Sequence, residues 1–409
     1  MMAASLSPAV RQYLLVTANY WAFTLTDGAL RMLVVLHFYS LGYSGLSIAM
    51  LFLFYEVFGV ITNLVGGWLG ARIGLNKTMN IGLFLQIIAL SMLLLPPAYL
   101  IVPWVMAAQA LSGIAKDLNK MSAKSSIKML VSSEAQGTLF KWVALLTGSK
   151  NALKGLGFFI GGLLLTLVGF QLAILYMVIL LLLVWTLSLI KLKQDLGKSS
   201  TRPKFREMLS KSRAINILSA ARLLLFGARD VWFVIALPLF LASQLGWDHW
   251  SVGSFLAMWV IGYGAVQSVA PLLLGKSTLP DAKTITLWAL LLCIIPALIA
   301  IALTINWQAE LVLLGGLMVF GAVFAVNSSV HSYLIVSYAK SDGVSMDVGF
   351  YYMANALGRL LGTVLSGWLY QSAGLITCLW VSSSMLILAV LISSKLAGTS
   401  VNADKTKSG

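Results

Sequence analysis

The sequence predicts an all-α membrane protein of twelve transmembrane helices, arranged as two pseudo-symmetric six-helix bundles. Three observations predict it. The chain of 409 residues is 59% hydrophobic and only 10% charged, against about 25% charged residues in an ordinary soluble domain. Its apolar residues fall into long runs, most of them near the roughly 20 residues that a helix needs to cross a bilayer. Its positive charges sort to one side of those runs.

The runs lie near 13–38, 46–69, 79–96, 99–121, 138–168, 170–190, 215–242, 251–274, 285–305, 310–337, 346–369 and 374–394. Turn-forming and polar residues part them: Gly42-Tyr43-Ser44, Pro96-Pro97, Gly169, Gly246-Trp247-Asp248, Asn306 and Gly374. The first run contains Asp27 and Arg31 and lacks a small-residue cleavage site, so it reads as a retained helix. The longest polar stretch, 191–213, separates six runs from six. The expected organisation is a bundle over 1–190, a basic linker over 191–213, and a second bundle over 214–409 that ends in a short tail.

Orientation follows from the basic residues. With both termini cytoplasmic, the linker holds Lys191, Lys193, Lys198, Arg202, Lys204, Arg206, Lys211 and Arg213. The other cytoplasmic pieces hold Arg72 and Lys77; Lys116, Lys120, Lys124, Lys128 and Lys141; and Arg11, Lys276, Lys283, Lys340, Lys395, Lys405 and Lys407. That places 22 of the 28 Lys and Arg inside, and the other six lie within helices. No basic residue remains for the outer loops. The expected location is a bacterial inner membrane, and the net charge of +15 reads as inside sorting, not as a nucleic-acid footprint. Cys293 and Cys378 sit far apart in apolar runs, which speaks against a disulfide framework or a thiolate metal site.

The halves echo each other. Asp27-Gly28-Ala29-Leu30-Arg31 in the first helix parallels Gly227-Ala228-Arg229-Asp230 in the seventh. Asn151-Ala152-Leu153-Lys154-Gly155 in the fifth parallels Asn355-Ala356-Leu357-Gly358-Arg359 in the eleventh. Gly157 and Gly161, like Gly358 and Gly362, have the GxxxG spacing that lets helix backbones approach closely.

The intramembrane charges carry the functional reading. Arg31, Lys150, Lys154, Arg222, Arg229 and Arg359 lie inside helices, at about 2.5–3.5 kcal/mol each near mid-bilayer on insertion scales. The acids available to pair with them are Asp27, Glu56 and Asp230, which leaves an excess of positive charge suited to anions. Lys150 and Lys154 are one turn apart and Arg222 and Arg229 two turns, so each pair shares a helix face. Ammoniums serve an oxyanion as point charges, and guanidiniums add bidentate hydrogen bonds. The competing reading is structural: Asp27 with Arg31 at i,i+4, and Asp230 with Arg229 or Arg222. Lys150 and Lys154 have no acid nearby in sequence, which favours substrate contact.

Lys116, Lys120, Lys124 and Lys128 recur every four residues, either as a funnel for anions or as a face on anionic lipid. Lys116 and Lys120 are the substrate candidates among them. Asn327 and His331 share a helix face and either line the cavity or pack; His37 and His249 read as interfacial. For coupling or gating, Asp27, Glu56 and Asp230 are the titratable candidates. Glu56 has no basic neighbour on its own helix. It serves either a proton relay or a salt bridge to another helix.

Gly275-Lys276-Ser277 reads like the end of a phosphate loop, but Ala270 stands where the first glycine belongs, inside a spanning run. With no HExxH, nucleophile elbow or Ser–His–Asp arrangement either, no enzymatic activity, catalytic residue, metal or cofactor is expected.

Gly67-Trp68-Leu69-Gly70-Ala71-Arg72-Ile73-Gly74-Leu75-Asn76-Lys77 resembles the loop signature of major facilitator transporters, as does Ser366-Gly367-Trp368-Leu369. Ala71 replaces the usual aspartate and Leu75-Asn76 the usual basic positions, which puts the family's charge-relay gate in doubt and leaves Arg72 as the gating candidate. The resemblance implies alternating access by two rocking bundles. Four stretches are more particular: TANYWAFTLTDGALRMLVVLHF (17–38), FYEVFGVITNLVGGWLGARIGLNKT (54–78), SGIAKDLNKMSAKSSIK (112–128) and LTGSKNALKGLGFFIGG (146–162). They resemble the ArsJ family of organoarsenical efflux permeases, densely in the first half of the chain and more loosely in the second. That resemblance implies export of 1-arseno-3-phosphoglycerate, made by a partner glyceraldehyde-3-phosphate dehydrogenase, with arsenate resistance as the outcome. Alternatives are another phosphorylated organic anion, a drug, or a membrane receptor that moves no ligand. The excess of cations speaks against a drug pump that holds cations. Partners beyond the small anion and the dehydrogenase are membrane lipid; nucleic acid is not expected, and a monomer is.

Overall fold

The computed structural model describes residues 7–43, 51–192, 196–201, 203–209, 211–275 and 279–405, with the backbone alone at His249 and 397–405. Ser44, Lys193, Arg202, Lys276, Ser277 and Lys407, used in the reading above, lie outside the described residues, as do the side chains of His249 and Lys405.

The described residues are helical throughout apart from turns and short connections. They form α1 (Pro8–Ser40), α2 (Leu53–Ile73), α3 (Leu75–Met92), α4 (Val102–Leu130), α5 (Gln136–Lys191), α6 (Arg213–Phe233), α7 (Ala236–Ser243), α8 (His249–Leu273), α9 (Ala282–Thr304), α10 (Ala309–Tyr338) and α11 (Val344–Lys405). Short 3₁₀ turns cover Pro97–Tyr99 and Phe205–Leu209. Two of the long helices are each two passes. Gly169 (φ 78°) breaks α5 and Gly374 (φ 77°) breaks α11. Both occupy the left-handed region that glycine adopts without a Cβ penalty. Conversely, α6 and α7 make one pass with a break at Val234-Ile235. There the freed amide of Ala236 donates to Ser366 Oγ at 3.1 Å, which satisfies a group the bilayer would leave unpaired. Among the described residues that makes twelve passes.

Among the described residues, seven stretches are long and apolar enough to cross a membrane on length and composition, and they include both double helices. The remaining passes, α1, α3 and α4, are polar on their inner faces. In α4 the buried positions include Gln109, Ser112, Asp117, Asn119, Ser122 and Lys124. A spanning helix keeps such groups only by turning them toward protein or water.

Packing divides the chain into two compact units. One comprises residues up to Trp142, Ser149–Ser210 and Ala339–Met353; the other comprises Val143–Gly148, Lys211–Tyr338 and residues from Ala354. In the first, α4 packs against α1, α2 and α3. The start of α11 packs on α2: a Cβ on Gly67 would stand 2.5 Å from the Ser345 carbonyl, and Ser345 Oγ donates to the Gly67 carbonyl at 2.7 Å. The linker is tied to the same end of α2. Leu75 N–H donates to the Leu196 carbonyl at 2.8 Å and Ser199 N–H to the Ala71 carbonyl at 2.7 Å. In the second unit an aromatic core of Trp232, Trp259, Phe320 and Phe324 lies between α6, α8 and α10. Cys293 and Cys378 are buried and free.

Each unit repeats one device. In the first, Gly28 faces the Lys154 carbonyl, Gly157 faces Leu25 and Gly161 faces Ala29, so α1 and α5 cross with backbones in contact. In the second, Gly358 faces Leu223 and Gly362 faces Gly227, so α6 and α11 cross the same way. The two GxxxG pairs thus sit at equivalent crossings, where small residues permit close approach.

Candidate functional site

Next to each glycine crossing lies a cluster of charges. In the first unit its hub is Tyr55 on α2. The Tyr55 hydroxyl donates to Asp27 Oδ1 at 2.7 Å, and Asp27 Oδ2 stands 3.4 Å from Lys154 Nζ. Three cations surround the Tyr55 ring: Lys116 at 3.7 Å from its centroid, Arg31 at 5.4 Å and Lys154 at 5.9 Å. The negative face of the ring attracts them. Arg31 pairs with Glu56 at 3.7 Å and also lies over Phe52.

Directly after Lys116 on α4, Asp117 is 1% exposed and sits between Lys116 at 3.9 Å and Lys120 at 2.5 Å. Lys124, also buried, donates to the Tyr352 hydroxyl at 2.5 Å, and Lys120 lies over the same ring. Lys150 is half-buried and donates to Asn151 Oδ1 at 3.2 Å. Around Tyr55, Asp117 and Tyr352, five cations (Arg31, Lys116, Lys120, Lys124 and Lys154) thus stand with three carboxylates (Asp27, Glu56 and Asp117).

Pairing differs from the sequence-based expectation at three points. Asp27 is joined to Lys154 and not to Arg31, whose partner is Glu56. Lys154, which has no acid nearby in sequence, has one from another helix. Asp117 was not among the expected intramembrane acids. Its signal was present in Lys116-Asp117 and Lys120, where i,i+3 spacing from Asp117 to Lys120 puts acid and base on one face.

The second unit has a smaller cluster. Asp230 is fully buried; its Oδ1 lies 2.5 Å from an Arg229 guanidinium nitrogen, and its Oδ2 lies 3.2 Å from Arg359 Nε. Arg229 also lies over Phe226 at 4.8 Å and Phe324 at 5.4 Å. Arg222 is 2% exposed and held by neutral acceptors: Asn355 Oδ1 at 2.9 Å and the carbonyl and hydroxyl of Ser328 at 3.2 and 3.0 Å. Ser328 Oγ in turn accepts from Tyr263 and Gln267, each at 3.1 Å. Asn327 and His331 are buried beside this network on α10. The amide of Asn327 and Nδ1 of His331 have no hydrogen-bond partner among the described residues. Buried polar atoms left so are costly unless water or ligand serves them.

Arg72 belongs to neither cluster. It is exposed at the end of α2, its guanidinium 5.1 Å from the Trp68 ring centroid. Tyr352, Tyr263 and Gln267 also organise the charges but give no signal in the sequence, because neutral hydrogen-bonding residues inside apolar runs carry no periodic signature. Among the described residues no group of three His, Cys, Asp or Glu side chains is placed to hold a metal ion.

Among the described residues, twelve passes with buried charges at two equivalent glycine crossings define a multi-pass membrane protein. A family model described as Major Facilitator Superfamily matches residues 13–325. That is most of the chain, and the protein belongs to the Major Facilitator Superfamily. Among solved structures, a bacterial homologue of the iron transporter ferroportin in an outward-facing state is 15% identical, with 94% of this chain and 99% of that chain covered and a TM-score of 0.76. The human organic anion transporter TETRAN is 15% identical, with 95% and 100% covered and a TM-score of 0.75. A proton:xylose symporter is 16% identical, with 95% and 96% covered and a TM-score of 0.74. These likenesses show the fold. No curated protein matches the sequence.

Proposed function

We propose that the protein exports a small, strongly anionic phosphorylated metabolite, 1-arseno-3-phosphoglycerate, from the cytoplasm across a bacterial inner membrane by alternating access. The observation that carries the reading is the charge imbalance: five cations with three carboxylates around Tyr55, Asp117 and Tyr352, and Arg229 and Arg359 sharing Asp230 in the second unit, with Arg222 held by neutral acceptors. Such an imbalance inside a bilayer supports an anionic ligand.

In this reading the oxyanion-binding cations are Arg31, Lys116, Lys120, Lys150 and Lys154 in the first unit and Arg222, Arg229 and Arg359 in the second. The unsatisfied amide of Asn327 and ring nitrogen of His331 supply neutral hydrogen bonds. Asp27, Glu56, Asp117 and Asp230 hold the cations in place until the substrate displaces them. Each charge moving through 100 mV contributes about 2.3 kcal/mol, so a trianion leaving a negative interior gains about 7 kcal/mol without a coupling ion. The arsenical substrate rests on the four stretches quoted above, and the dehydrogenase that makes it is a functional partner.

The test uses everted membrane vesicles holding the permease. Arsenate, glyceraldehyde-3-phosphate, NAD and glyceraldehyde-3-phosphate dehydrogenase are supplied outside, and arsenic uptake is followed. Uptake is expected only with all four components, and it should fall sharply in Lys150→Ala/Lys154→Ala. Dehydrogenase-dependent uptake untouched by that double substitution would remove the two lysines from the site. Absence of uptake above empty vesicles, with folded permease, would discard the arsenical and leave another phosphorylated anion to be found.

A further inference from the structure

The first unit contains a second basic site, on its flank and separate from the charge clusters. A cavity of about 600 Å³ is lined by Arg72 at the end of α2, Lys77, Asn80 and Phe84 on α3, Trp185 on α5 and Lys198 on the linker. None of the cluster cations lines it. Its lining combines two chemistries. Arg72, Lys77 and Lys198 are cationic, and all three are exposed. Phe84, Trp185 and Leu189 are apolar. Phe84 and Leu189 are 44% and 46% exposed, so the wall opens on the side that spanning helices turn to acyl chains.

The geometry points to a binding site for one anionic phospholipid, its phosphate between the three cations and an acyl chain along the Phe84–Trp185 wall. Charge complementarity and amphipathic shape carry this. The cations come from three segments that are already fastened together. The linker bearing Lys198 is tied by Leu196 and Ser199 backbone hydrogen bonds to residues flanking Arg72. The wall is equally fixed: Phe84 and Trp185 stack at 5.2 Å, and the Trp185 indole N–H donates to the Asn80 carbonyl at 3.1 Å. An indole anchored this way beside lysines is how a helix marks a bilayer interface, and basic pockets between helices on the inner side take anionic headgroups. A free phosphate would use the cations and leave the apolar wall in water. A zwitterionic lipid would use the wall and bring its own cation to a basic rim.

The full-length protein is purified with equal amounts of phosphatidylglycerol and phosphatidylcholine of matched acyl chains, and retained lipid is read by native mass spectrometry. Phosphatidylglycerol is expected at roughly tenfold excess or more, falling to near parity in Arg72→Gln/Lys77→Gln/Lys198→Gln. Equal retention of both lipids by the wild type, or an unchanged preference in the triple variant, overturns the site. Displacement of phosphatidylglycerol by millimolar inorganic phosphate would overturn it in favour of a plain oxyanion site. A second measurement needs no variant: phosphatidylglycerol with a photoreactive acyl chain should label the wild type around Phe84 and Leu189. Labelling spread evenly over the exposed helix faces would defeat the proposal.

Discussion

The Tyr55 hydroxyl donates to Asp27 Oδ1 at 2.7 Å while the Tyr55 ring carries Lys116 on its face at 3.7 Å. One side chain thus holds an acid by its edge and a base by its π-surface, and the two functions separate by mutation. Tyr55→Phe keeps the ring and removes the donor. It should cost about 1–3 kcal/mol, the range for a buried charged group that loses one hydrogen bond. Tyr55→Ala removes both and should cost clearly more. Chemical unfolding in a fixed detergent distinguishes them; equal losses would mean the ring contributes nothing, and no loss in Tyr55→Phe would mean the same of the hydrogen bond.

The Asp27–Lys154 pair is 3.4 Å long and nearly enclosed. Breaking a buried pair from one side strands a charge and costs about 3–5 kcal/mol, whereas removing both partners is far milder. Asp27→Asn and Lys154→Gln should each lower the unfolding midpoint strongly, and the double variant should recover much of the loss. Additive losses in the cycle would show that the pair is not coupled.

This pair also marks the limit of what sequence discloses. Helix existence and the breaks at Gly169, Asn306 and Gly374 were legible, because chain reversal and left-handed backbone need particular residues whatever the tertiary context. So were the GxxxG crossings, since close helix approach has a local spacing. Partner choice was not. Asp27 meets a lysine on α5 instead of Arg31 one turn away, because helix packing and not chain proximity decides which side chains face each other. The α6–α7 break was hidden for the same reason: its freed amide is satisfied by Ser366, a residue far along the chain.

Two glycines in helices should respond oppositely to alanine. At Gly358 a Cβ would drive into the Leu223 backbone, while at Gly253 it would meet open space. Gly358→Ala should destabilise by about 1–3 kcal/mol through overpacking against backbone that cannot yield. Gly253→Ala should stabilise by about 0.5–1 kcal/mol by restricting the unfolded chain. Thermal unfolding of the two variants side by side checks the contrast, and a shift of the same sign in both would contradict it.

The linker has a pH-dependent fastening. Asp342 accepts the Ser200 amide at 3.0 Å and the Ser200 hydroxyl at 2.9 Å, and the backbone donor foremost holds its carboxyl below the usual carboxylate range. A depressed folded pKa means the contribution is complete above the ordinary value of about 4 and fades as pH falls below it. Hydrogen exchange at the Ser200 amide, corrected for intrinsic rate, should be slowed at neutral pH and lose that protection in strong acid. Asp342→Asn should flatten the profile, and a profile unchanged by the substitution would count against the fastening.

Arg222 offers the sharpest separation of site from scaffold. Its guanidinium spreads three hydrogen bonds over Asn355 and Ser328 and lies 4.0 Å from the Phe226 ring centroid. A lysine keeps the charge and loses the planar fork. If the fork serves the anion, Arg222→Lys should raise the KM for uptake by about 10- to 100-fold, the equivalent of one charge-assisted hydrogen bond, with the maximal rate little changed. If it serves only to hold α6 against α10, the unfolding midpoint should fall while KM stays put. Both quantities are read on the same monodisperse preparation. The unserved polar atoms of Asn327 and His331 nearby favour the first outcome, because a ligand that reaches them must pass within range of this charge.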